Sequence, residues 1–92
     1  MELTELRGQI DIVDQELVAL LERRMDIAAD IVAYKMAHGK PVLDSSREAK
    51  KIRDVKEHCR PETAQLIGHI FEDIMAASRD YQTRIMEHEY GK

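Results

Sequence analysis

The chain has 92 residues, 43% apolar and 35% charged, with a net charge of −4. That describes a single domain over residues 1–92 whose core is too small to be generous and which calls for oligomerisation or another staple. The acidic balance and the lack of a long Lys/Arg run argue against a nucleic-acid surface, and the lone Cys59 rules out an internal disulfide framework.

Other totals narrow the class. One cysteine fits a reducing cytoplasm, and with no signal peptide or apolar run of membrane length the chain is expected to be soluble and unexported. Gly and Pro are few, aromatics stand at 4%, and Ala, Leu, Ile, Glu, Arg and Lys dominate, a profile that predicts an all-α fold.

The first element is read from Leu3, Leu6, Ile10, Val13, Leu17, Leu20, Arg24, Ile27, Ile31 and Tyr34, which recur at spacings of three and four. This is a sustained heptad seam with Arg24 as its one charged member. Gly39 and Pro41 supply a stop, Gly suiting the C′ position and Pro being unable to continue a helix. The pattern predicts a helix from about residue 3 to about 37, roughly 50 Å long. Arg24 and Lys35 stand eleven residues apart, so they project from nearly one face, shared with Leu20, Ile27, Ala28 and Ile31.

A second helix begins in "DSSRE", where Ser45 and Glu48 match a capping box and Asp44 is an alternative cap. Its inner face carries Glu48, Ile52, Val55 and Cys59. A third opens at Pro61 and presents Leu66, Ile67, Ile70, Phe71, Ile74, Tyr81 and Ile85, with Ser78 and Gln82 interrupting the stripe. A compact domain of this size is about 30 Å across. Two shorter helices of the same chain do not cover a seam of the first helix's length. An intertwined homodimer with its long helices antiparallel is the economical solution.

Arg7, Arg24, Lys35, Glu48, Ser78 and Gln82 lie on or beside the inner faces, and Asp44 and Arg47 join them at the second helix start. Arg7 and Arg24 are seventeen residues apart, about 26 Å along one helix. An antiparallel partner brings Arg7 of one chain toward Arg24 and Lys35 of the other. The inventory of cations, one acid and neutral donors suits a small dianion, since Arg grips carboxylates through paired donors. It holds no nucleophile–base pair. Each member also has a plainer reading: Glu48 as a capping acid, Ser78 and Gln82 as polar groups satisfied by backbone, Arg7 as a snorkelling flank residue, Arg24 and Lys35 as partners of a neighbouring Glu or Asp. Taken together they form a pattern that none makes alone. His38, His58, His69 and His88 lack ligand spacing, and no glycine-rich phosphate loop is present, so no metal site is expected.

The sequence resembles the all-helical chorismate mutases over nearly its whole length. The resemblance rests on "LRGQIDIVDQELVALLERR", the Lys at 35, "PVLDSSRE" and "SRDYQ". The family's site positions fall on Arg7, Arg24, Lys35, Asp44, Arg47, Glu48, Ser78 and Gln82, all with the family's residue types. It implies rearrangement of chorismate to prephenate, toward phenylalanine and tyrosine, with no cofactor. It also implies roles. Arg7 from the partner, Arg24 and Ser78 hold the two carboxylates; Lys35 and Gln82 donate to the ether oxygen. Glu48, with backbone near Asp44, takes the ring hydroxyl, and Arg47 orients Glu48 or its neighbours. Isochorismate–pyruvate lyases share the fold and the cationic site, and a non-catalytic helical dimerisation module is a further alternative; Glu48 within a full "DSSRE" favours the mutase. A chain of this length leaves no room for an amino-acid-sensing domain, so any control is expected to come from a partner protein such as an enzyme of the shikimate pathway.

Overall fold

The computed structural model describes residues 1–90, which form three helices and no strand: α1 (Leu3–Ala37), α2 (Ser45–Glu57) and α3 (Pro61–Tyr90). The α1 boundaries match the seam. Its end is a Schellman motif, in which Gly39 takes φ +64°, the Gly39 N–H donates to the Met36 carbonyl at 3.4 Å and the Lys40 N–H to the Lys35 carbonyl at 2.8 Å. A left-handed residue is needed there, and Gly supplies it without a Cβ clash. None of the helices is long and apolar enough to cross a membrane.

The start of α2 departs from the capping-box reading. Asp44 is the N-cap: its Oδ1 accepts from the Arg47 N–H at 3.1 Å and from the Ser46 hydroxyl at 3.0 Å. Ser45 is the first helical residue, so Glu48 falls one position past the place from which a capping-box acid reaches back. Its side chain is free for another partner.

Helix α3 is the common support. Both α1 and α2 pack against it, and a cleft opens between them. Gly68 is buried on α3 and lets the stem of Lys56 lie across it; a Cβ there would stand 2.7 Å from Lys56 Cε.

The face that α1 turns to α3 is not the heptad seam. Ala28 and Val32 are its buried residues, and each follows a seam residue by one position, about 100° round the helix. Small Ala28 admits close approach of the two axes, which the bulkier Ile27 and Ile31 would hold apart. The seam itself lies bare, from Leu6 at 42% exposed to Leu3, Ile10 and Leu20 at 59%. On α3, similarly, Met75, Ser78 and Gln82 are buried while Leu66, Ile70 and Tyr81 face outward. The fold is an open slab, 54 × 28 × 14 Å, with a radius of gyration of 16.5 Å against about 12 Å for a compact chain of this length.

Candidate active site

Arg24 and Lys35 sit where the α1 face packed on α3 meets the bare seam, and both line the cleft. It has a volume of about 540 Å³, within the range of small-molecule sites. Helix α1 contributes Arg24 and Lys35, the connector Val42 and Asp44, α2 Arg47, Glu48 and Lys51, and α3 Ser78, Arg79 and Gln82. Ile27, Ala28, Ile31, Phe71 and Met75 form its apolar floor. Five cations face two carboxylates, an excess of three positive charges in a chain whose total is −4.

Seven of the eight residues singled out in the sequence therefore line one cleft. Arg7 does not. It lies on the exposed amino-terminal half of α1, about 26 Å from Arg24 along the axis.

Lys35 is half-buried, and its Nζ donates to the Val42 carbonyl at 2.7 Å, not to an acid. Among the described residues Arg24, Arg47 and Lys51 make no ion pair with any carboxylate. Unpaired cations grouped over an apolar floor favour an anionic ligand over an internal structural bridge. Asp44 is held below the usual carboxylate range, chiefly by the N–H of Arg47 and then by the Ser46 hydroxyl, with the charges of Lys35 and Arg47 adding to the effect.

Gln82 is 6% exposed and Ser78 7%. Their side chains meet one turn apart, Gln82 Nε2 donating to Ser78 Oγ at 3.1 Å, while Gln82 Oε1 is buried with no partner among the described residues. The second N–H of the Gln82 amide takes no partner among the described residues, so the side chain can still donate to a ligand.

Arg79 is the residue that sequence patterns missed. Its Nη1 donates to Glu48 Oε1 at 2.5 Å, bridging α3 to α2. The resemblance implied that Arg47 orients Glu48 or its neighbours; the side chain that reaches Glu48 comes from α3, and Arg47 is exposed at the rim. One signal was available: Arg79 follows Ser78 and precedes Gln82 by three, so it borders the same helical face. Among the described residues, no group of three His, Cys, Asp or Glu stands together as a metal site would require.

Residues 6–83 match the family described as chorismate mutase type II. The T-protein of Enterobacter agglomerans is 34% identical over 77 residues, covering 80% of this chain and 19% of that protein. The T-protein of Haemophilus influenzae is 27% identical over 73 residues, with 79% and 19% covered. A protein of Streptomyces venezuelae named 4-amino-4-deoxychorismate mutase is 37% identical over 46 residues, 50% of this chain and 45% of that one. The chain spans 19% of the length of each T-protein, so the greater part of those proteins has no counterpart here.

Proposed function

The chain belongs to the chorismate mutase type II family, and on that premise we propose that its cleft converts chorismate to prephenate. The carrying observation is the cluster of unpaired cations, Glu48 and the buried Ser78–Gln82 pair around one apolar-floored cleft. The reaction is a pericyclic shift, in which the carbon–oxygen bond of the enolpyruvyl ether breaks as a carbon–carbon bond forms. It needs no nucleophile and no proton transfer, in keeping with a set of residues that bind and polarise.

Catalysis then has two sources. Arg24, Ser78 and Arg7 of a second copy hold the two carboxylates, which keeps the flexible dianion in a compact, chair-like conformer. Lys35 and Gln82 donate to the ether oxygen as negative charge grows on it, the situation in which a pre-aimed donor is worth most. Glu48 accepts from the ring hydroxyl, assisted by backbone near Asp44. Arg47 attracts the dianion from the rim. The Lys35 Nζ that now rests on the Val42 carbonyl has further protons to give, since an ammonium carries three.

The partner is read as a second copy, its long helix antiparallel to this one. The uncovered seam supports this, because exposed apolar surface of that extent marks an association face. Antiparallel pairing also carries Arg7 to the other chain's Arg24.

The deciding experiment adds purified protein to chorismate and follows loss of its absorbance with appearance of prephenate. Isochorismate in parallel, with release of pyruvate as the readout, tests the lyase alternative. The name of the Streptomyces relative adds a third substrate, in which an amine replaces the ring hydroxyl. No turnover of any of them, and no binding of the dianions, would leave a dimerisation module.

A further inference from the structure

Glu48 and Arg79 are 31 positions apart, yet their side chains meet across α2 and α3 while remaining 23% and 35% exposed. We propose that Arg79 is a positioning residue which fixes Glu48 and makes the site select a ring hydroxyl over a ring amine. The inference rests on the mutase reading and deepens it to the choice of substrate.

An ionised carboxylate only accepts, through both oxygens. Oε1 of Glu48 is taken by the Arg79 guanidinium, and Oε2 has no protein partner among the described residues. One oxygen is thus left free to accept from a ligand. Because the carboxylate comes from α2 and the guanidinium from α3, the aim of Oε2 is set by two packed helices.

Charge then discriminates. Five cations line the cleft against Glu48 and Asp44, an excess of three, and Arg79 is the one that bonds to Glu48. A hydroxyl arrives neutral and donates to Oε2. An aliphatic amine is protonated near neutral pH and brings a further cation to a wall that already has too many. Without Arg79 the excess falls from three to two, and an ammonium takes the guanidinium's place on Glu48.

The test measures kcat/KM for chorismate and for 4-amino-4-deoxychorismate with the parent, Arg79→Lys and Arg79→Gln, each checked for folding by thermal melting. In Arg79→Gln the amine-to-hydroxyl ratio of kcat/KM should rise about tenfold or more, mainly through a lower KM for the amine, the size expected when one charge is lost near another at a half-wet site. Arg79→Lys should keep the parent's ratio, while kcat on chorismate falls because a point charge does not fix the carboxylate as a guanidinium does. In a Glu48→Gln background, Arg79→Gln should raise the ratio clearly less than it does in the parent, because no carboxylate is left for the ammonium to take over. If Arg79→Gln fails to fold, Arg79→Met, which keeps an apolar stem, carries the same expectation. A folded, uncharged variant with the parent's ratio overturns the proposal, as does a parent that prefers the amine or a shift undiminished without Glu48. A parent that turns over neither substrate sinks the mutase reading itself.

Discussion

Lys35 is tied to Val42: its Nζ donates to that carbonyl at 2.7 Å, while its own carbonyl accepts the Lys40 N–H at 2.8 Å. The last inward-facing cation of α1 is thereby fastened at both ends to the connector leading to α2. The aim of its ammonium depends on the turn that brings Val42 round, and that turn depends on Gly39 at φ +64°.

Gly39→Ala should therefore act on the site as well as on stability. A Cβ in the left-handed region costs about 1–2 kcal/mol, so the melting temperature should fall by several degrees and turnover should drop with it. Gly39→Asn, better suited to that region, should lose less of both. Melting curves and chorismate assays on the two variants check the order; equal behaviour of Ala and Gly at 39 would show that the turn does not set the position of Lys35.

Arg7→Ala and Lys35→Ala should each abolish most activity, and a mixed dimer of the two should recover about half of the sites, as two-fold symmetry requires. One site then receives both defects and the other neither. Heterodimers that form without recovery would place Arg7 in its own chain's site. Sedimentation should give about twice the chain mass of 10.6 kDa; a folded, active monomer would remove the need for a shared site.

Gln82→Glu tests the electronic half of the mechanism. The amide donates at any pH, whereas the carboxyl donates only when protonated and, once ionised, repels the oxygen on which charge develops. Activity should persist in acid and disappear as pH rises, with a loss of about 10²–10³-fold, while the parent stays comparatively flat. A parental rate and pH profile in the variant would mean that Gln82 does not touch the reacting oxygen.

Asp44 links stability to pH. Its folded-state pKa lies below the ordinary 3.8, chiefly through the Arg47 N–H it caps. A depressed carboxylate contributes stability that is complete above 3.8 and is lost as pH falls through the folded value. Asp44→Asn keeps a good cap and removes the titration. The parent's advantage over it should shrink as melting temperatures are compared downward through that window; a constant difference would show that the cap does not depend on the charge.

Much of this was legible in the residues. Gly39 and Pro41 marked the end of α1, Pro61 the start of α3, and the break in the α3 stripe marked Ser78 and Gln82 before any geometry was known. What periodicity did not reveal was azimuth. A heptad seam says that a face is apolar without saying which neighbour it meets, and α1 packs on α3 through Ala28 and Val32 while the seam remains bare. Arg79 was missed for a related reason. A charged residue beside a stripe looks like solvated surface until the other helix supplies Glu48.

The slab is 14 Å deep, about the thickness of one layer of helices with their side chains. A slab that thin has little inside: of α1 only Ala28 and Val32 are buried. If two copies supply the missing layer to each other, folding and pairing become one event, second order in protein, and the chain behaves as half of a core. Its melting midpoint would then climb with concentration, and dilution alone would unfold it. In that case the cell sets the activity of this protein partly through how much of it is made.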